Sequence, residues 1–211
     1  MRLLLFFVTC TICAAQSFTL GVKGGITATD DITGNATSES KRYIAGPMVE
    51  LGLPFGFGIE FDALYSREGY RTSFSNFAGT FNSRERSNSW ELPLLLKYRL
   101  ALPLAKPFVE AGYATREYSS GQFDSSGFLV DLSTGLRSFQ QSSGTSNFDA
   151  SHGFIAGGGV QAGVGRLRLS PELRYTRWTS TPINAPLSQG AAYQSTQNQV
   201  EVLVGLGWKL H

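Results

Sequence analysis

Histidine is scarce in this chain of 211 residues, with two in all, His152 and the terminal His211. His152 directly follows Ser151, and Asp149 stands just upstream. These are the residue types of a serine hydrolase, in which a carboxylate orients the imidazole that takes the serine proton. Their spacing opposes that chemistry, because adjacent residues of a strand point to opposite faces and Ser151 could not then meet His152. We therefore expect no catalytic residue and no enzyme. No His, Cys or Asp cluster has metal-ligand spacing, and the run Gly157 to Gly159 lies in a strand pattern with no helix after it, so it is no phosphate loop. No cofactor or metal is expected.

The other residues able to do chemistry are charges at regular spacing. Trp90 to Leu100 sorts by parity into Trp90, Leu92, Leu94, Leu96, Tyr98 and Leu100 on one face and Glu91, Pro93, Leu95, Lys97 and Arg99 on the other. A strand with this pattern has an oily side and an ionic side. The same parity runs through Phe18 to Ala28, Tyr43 to Leu53, Phe57 to Tyr65, Phe108 to Tyr118, Ser151 to Val164, Leu167 to Tyr175 and Val200 to Leu210, eight strands in all. Their ionic faces collect Glu50, Glu60, Asp62, Glu91, Glu110, Glu172 and Glu201 against Lys23, Lys97, Arg99, Arg116, Arg168, Arg174 and Lys209. As a soluble core such a face would be prohibitive, since an unpaired buried charge costs several kcal/mol. The inverted solution puts the apolar face against lipid and the ions inside a barrel. All of these charges except Lys23 and Glu50 are expected to form an ion-pair network in the lumen.

Between the strands the polar connections are expected to alternate in length. Long loops fall at about 30–41, 66–89, 119–147 and 179–198, and short turns at Leu53–Gly56, Ala101–Lys106 and Gly165-Arg166. Alternation of this kind marks an up-and-down barrel whose two ends lie in different environments. Tyr43, Tyr65, Trp90, Tyr98, Tyr175, Trp178 and Trp208 fall near strand ends and are expected to form interfacial aromatic girdles. Pro47, Pro93 and Pro171 interrupt strands, and bulges are expected there because each removes a ladder donor.

Met1-Arg2, the apolar run Leu3 to Val8 and the small residues ending at Ala15 have the layout of a cleavable signal peptide, 1–15, ahead of one domain, 16–211. Both cysteines, Cys10 and Cys13, lie in the part removed, which leaves no disulfide or thiol chemistry. The net charge of +2 comes from interleaved bases and acids, so no nucleic-acid partner is expected. No later apolar run reaches the length of a membrane helix, so a bilayer would be crossed by a closed barrel.

Glu91-Leu92-Pro93-Leu94-Leu95-Leu96-Lys97-Tyr98-Arg99 and Pro107-Phe108-Val109-Glu110-Ala111-Gly112 resemble recurrent strands of the small outer-membrane β-barrel domain proteins, the OmpA- and OmpX-like group of Gram-negative bacteria. The resemblance implies an all-β, eight-stranded antiparallel transmembrane barrel in the outer membrane. It also implies contact with outer-membrane lipids and with the barrel-assembly machinery. The last strand is similar to that machinery's signature but ends Trp208-Lys209-Leu210-His211, with Leu210 in the last outward position. Some barrels of this size modify lipid A, yet Phe154 stands where their His-x-Ser spacing would require serine.

Two functions remain: a closed barrel with both termini periplasmic, presenting long extracellular loops for adhesion, envelope integrity or binding of an unidentified ligand, or a small porin-like channel. Eight strands enclose a space just wide enough for side chains, which favours the closed barrel.

Overall fold

The computed structural model describes residues 17–34, 36–76, 79–102, 105–119, 121–131, 133–146, 148–180, 184–185 and 193–210. Residues 1–15, expected to be a signal peptide, and His211 lie outside them. In chain order the strands are β1 (Ser17–Thr27), β2 (Ile32–Gly34), β3 (Ala36–Ser38), β4 (Lys41–Gly52), β5 (Phe57–Asp62), β6 (Leu64–Asn76), β7 (Gly79–Arg99), β8 (Ala105–Tyr118), β9 (Gly121–Val130), β10 (Arg137–Ser146), β11 (Ser151–Val164), β12 (Leu167–Trp178), β13 (Asn184–Ala185), β14 (Tyr193–Ser195) and β15 (Asn198–Lys209).

β5 and β6 are one wall strand interrupted at Ala63, whose N–H donates to Pro47 O of β4 at 3.0 Å. Taken together they give an eight-stranded antiparallel wall in the order β1, β4, β5/β6, β7, β8, β11, β12, β15. β15 closes on β1 with Leu20 opposite Trp208 and Thr27 opposite Glu201. Closure leaves no open edge in the wall and pairs the backbone of every wall strand on both sides, which hydrocarbon demands.

The side chains follow the pleat. Leu20, Val22, Ile26, Phe61, Leu94, Leu96, Val109, Phe154, Leu173, Val202, Val204 and Leu206 face outward and are exposed, while the alternate residues are buried and mostly polar or charged. Trp90 packs on Tyr65 at one end of this band, and Tyr98 on Phe57 at the other, with ring centroids 5.4 and 5.0 Å apart. At about 3.3 Å per residue, Trp90 and Tyr98 stand about 26 Å apart along β7, enough to bracket the hydrocarbon layer on a tilted strand.

Two sequence expectations need correction. The segments 66–89 and 119–147 are not loops over most of their length. β6 and β7 continue as a paired hairpin as far as Asn76 and Gly79, and the β9–β10 hairpin adds to its side through Gly79–Arg86 of β7. The outward residues there are mostly serine, asparagine and arginine, and the inner face buries Glu68, Tyr70, Thr72 and Ser87, so neither face carries a run of apolar residues. The pattern that identifies lipid-facing strands is therefore blind to them. At the β9–β10 turn, Asp131 accepts hydrogen bonds from Ser133 N (2.9 Å) and Oγ (2.6 Å), which hold its carboxyl down at about 2.

The prolines do not cause bulges. Pro93 stands opposite Ala114, and Pro171 opposite Val204, in uninterrupted register. Pro47 stands opposite Val22 in equally regular pairing. The register shift in this region falls between Lys41 and Ile44, at the β4–β6 seam.

If the outward band is the lipid-facing surface, Leu94→Arg, midway between the two aromatic pairs, will destabilise the barrel by about 2 to 4 kcal/mol in bilayer refolding titrations. Ser143→Arg, on the same face of the β10 hairpin, will cost less than about 0.5 kcal/mol. Equal effects would contradict the assignment.

Candidate functional site

The lumen is crossed by three buried cations shared among buried carboxylates. Lys23 projects from β1 at a point where both cross-strand partners, Gly205 and Gly46, lack side chains. Its Nζ donates to Glu60 (2.5 Å), Asp62 (3.1 Å) and Glu172 (2.8 Å). Lys97 Nζ lies 2.7 Å from Glu60, 3.3 Å from Glu110, 3.5 Å from Glu172 and 4.0 Å from Glu50. Arg174 reaches Glu172 (2.8 Å), Asp62 (3.0 Å), Glu110 (3.3 Å) and Glu60 (3.7 Å). No pair stands alone, since each cation serves at least three carboxylates and Glu60 and Glu172 touch all three cations.

Strand register explains part of the arrangement. Lys97 faces Glu110 directly across β7 and β8, and Glu91 faces Arg116, the opposite-charge placement that stabilises a ladder. Glu50 faces Glu60, a like-charge pair. Lys97 lies against both, and Arg99 Nη1 donates to Glu50.

Space is made by glycine. A methyl on Gly159 would come within 2.8 Å of Phe108 Cζ, and one on Gly157 within 2.9 Å of Glu110 Oε1. The Phe108 ring in turn lies 4.5 Å from Lys97 Nζ. The glycine run of β11 is thus a lumen device: its inward members leave room for Phe108 and Glu110. Glu60, Glu110 and Glu172 each offer an oxygen within 4.8 Å of the others, the spacing of a cation site. Lys97 Nζ touches all three, so an ammonium already occupies that position.

Toward the hairpin end, an apolar layer of Ile44, Leu64 and Leu203 beside Leu95, Ala114, Ile155 and Trp178 separates this network from a second one. There Arg116 bonds Glu91 (3.0 Å) and Gln199, lies 3.5 Å from Glu68, and stacks 4.2 Å from the Trp178 ring. Trp178 Nε1 donates to Gln199 Oε1 at 3.0 Å. Trp178 is therefore no girdle residue. Strand β12 runs three residues beyond the expected end at Tyr175, and the parity of Trp178 turns it inward.

Of the charges assigned to a lumen network, Glu60, Asp62, Lys97, Glu110, Glu172 and Arg174 meet in the middle, Arg99 pairs with Glu50 beneath them, and Glu91 and Arg116 meet above. Glu201 stands opposite Arg174 but is bonded by Gln199 Nε2 at 2.5 Å. Arg168 and Lys209 are not in the network. With Arg99 and Lys106 they line an open cavity of about 340 Å³ at the short-turn end, and neither has an ion-pair partner among the described residues. Glu50, the one carboxylate lining that cavity, is taken by Arg99.

Sequence reasoning placed Lys23 on the inner face but left it out of the network of which it is a hub. Its signal was being the one charge of its strand, set among Gly21, Gly24 and Gly25. Glu68 was missed because it falls in a stretch read as loop, and Gln199 because it stands one residue before the expected start of the last strand at Val200. Ser151 and His152 do not meet: Ser151 is buried inside and bonded to Ser180 Oγ at 3.0 Å, while His152 stacks outside on Tyr113.

A family model described as outer membrane protein beta-barrel domain matches residues 14–177. No curated protein matches. Among solved structures the chain is similar to the N-terminal beta-barrel domain of Pseudomonas aeruginosa OprF, at 11% identity over 93% of this chain and 98% of that one, TM-score 0.43. Neisserial surface protein A is similar at 14% identity over 90% and 96%, TM-score 0.42. A major outer membrane protein of Thermus thermophilus is similar at 12% identity over 92% and 98%, TM-score 0.44.

Removing one partner of a buried network strands the others, at a typical cost of about 3 to 5 kcal/mol. Lys23→Ala and Arg174→Ala will each lower the unfolding free energy by that order in urea titrations, whereas Arg137→Ala on exposed β10 will change it by less than about 0.5 kcal/mol. Equal effects for the three would mean that the lumen is wet and its charges independently solvated.

Proposed function

Because this chain belongs to the outer membrane protein beta-barrel domain family, we propose that it is a closed anchor of the Gram-negative outer membrane, raising β-hairpins beyond the lipid for surface interaction. The observation that carries this reading is the fully buried state of the side chains of Lys23, Glu60, Asp62, Glu172 and Arg174 across the lumen. A hydrated ion would have to break several charge-assisted bonds at once to pass, each of them stronger in this low-dielectric interior than in water. The cavity at the opposite end leads only as far as Arg99, Glu50 and Gln161.

In this reading residues 1–15 direct export and are removed, and both termini face the periplasm. The β6–β7 and β9–β10 hairpins stand on the cell exterior. Support for that orientation comes from the asymmetry of the connections: Gly165-Arg166 and Pro54–Gly56 turn tightly at one end, whereas the hairpins extend the wall at the other. Strand β15, with Val202, Val204, Leu206 and Trp208 outward, would present the assembly machinery with its alternating apolar face. An ester-hydrolase role gains nothing from Ser151 and His152, which lie on opposite sides of the wall.

Planar-bilayer recording of the refolded protein tests the closed-anchor reading. Wild type will show no steady conductance of nanosiemens order, and Arg174→Ala will show frequent openings. Steady wild-type conduction would replace the anchor with a channel.

A further inference from the structure

Above the Tyr65–Trp90 pair the outer wall changes from apolar to basic. Antiparallel partners share a face, so the outward rungs of β6 climb from Tyr65 opposite Trp90 to Arg67 opposite Lys41 and Asn88, then Gly69 opposite Arg86, then Arg71 opposite Arg84. Gly69 has no side chain, and a cleft of about 300 Å³ beside it is lined by Lys41, Arg67, Arg84 and Arg86 with Glu39 and Glu68, the last already facing Arg116 at 3.5 Å. Glu39 closes one end, 3.0 Å from Arg71 Nε and also paired with Arg84, while Asp124 stands opposite Arg84 in the ladder. Lys41, Arg67 and Arg86 have no ion-pair partner among the described residues. The cleft is thus a cationic notch with three uncommitted bases around a glycine floor.

Its position narrows the ligand. Directly below it on the same strands the outward residues are Tyr65, Trp90, Phe61 and Leu94, the apolar wall itself. A ligand that uses both surfaces has an anionic head and a hydrocarbon tail. The basic rungs also rise too far for a simple phospholipid, whose headgroup layer is about 5 to 7 Å deep on each side. The Gly69–Arg86 rung, over which a phosphate would lie, stands about 13 Å along the strand from the aromatic rung, or about 10 Å in height at a tilt near 40°. Guanidinium forks bind phosphate oxygens bidentately and so favour that anion.

We propose that this notch binds the phosphate groups on the sugar headgroup of a glycolipid, with Lys41, Arg67 and Arg86 holding the phosphate over Gly69. The assignment to the outer leaflet rests on the orientation given under Proposed function.

The test uses the refolded full-length mature chain in detergent micelles, with native mass spectrometry reading the binding of a diphosphorylated acyl-diglucosamine, its dephosphorylated form, and the soluble diglucosamine bisphosphate without acyl chains. The phosphorylated lipid is expected to bind one per barrel, at least about tenfold more tightly than either comparison probe. Arg67→Ala and Arg86→Ala are expected to weaken it about fivefold each. Glu39→Gln, which frees Arg71 and Arg84, is expected to tighten it, and Arg137→Ala to leave it unchanged. Loss of discrimination between the lipids, or variants that bind like wild type, would overturn the site. Equal affinity for the soluble bisphosphate would overturn the lipid assignment. Orientation is read separately: Ser143→Cys is expected to react with an impermeant maleimide on intact cells. Its protection would overturn the outer-leaflet assignment and the orientation together, while the micelle titration still judges the phosphate site.

Discussion

An eight-stranded barrel is too narrow to hold water in bulk, and with most of its apolar residues on the outer face it has only the thin layer of Ile44, Leu64, Leu95, Ile155 and Leu203 to spare for the lumen. Whatever points inward must fill the space and satisfy its own polarity. Here the solution is a set of cations each shared by several carboxylates, so that Lys23, Lys97 and Arg174 serve Glu60, Asp62, Glu110 and Glu172 as one unit. Strand register, glycine placement and closure of the lumen all depend on that sharing.

Register depends on it because the period of a strand is two. A slip of one residue would move the lumen ions to the lipid face and the outward leucines, such as Leu94, Leu96 and Leu206, into the lumen. An apolar lumen would leave such a slip nearly unpunished. Glycine placement depends on it through volume: Lys23 crosses where Gly205 and Gly46 offer no side chain, and Phe108 slides beneath Lys97 where Gly159 leaves room. Buried ion pairs are a poor source of stability compared with well-packed apolar groups. In the closed-anchor reading their value lies in specifying one register and shutting one passage.

Much of this was legible in the sequence because lipid imposes a simple alternation. Parity alone placed Glu60, Asp62, Lys97, Glu110, Glu172 and Arg174 on the inner face of the observed barrel, and the Ser151–Val164 strand has the same bounds in the structure. What parity cannot give is reach along the barrel axis. Arg168 and Lys209 have the inward parity but sit at the mouth, while Lys23 has the same parity and sits at the centre. Beyond the membrane the alternation stops, and strand content stopped being readable with it, so Glu68 was hidden in what read as loop, while Gln199 and the inward turn of Trp178 lay just past the expected strand ends.

The central claim is that the lumen charges act as one interlocked unit, and a double-mutant cycle between Lys23 and Glu172 tests it most directly. With Lys23→Met and Glu172→Gln measured singly and together in urea unfolding, the account predicts a favourable coupling of about 1 to 3 kcal/mol, the second substitution costing much less than the first. Additive effects within about 0.3 kcal/mol would contradict it, because charges that do not feel each other across 2.8 Å are not holding the lumen closed.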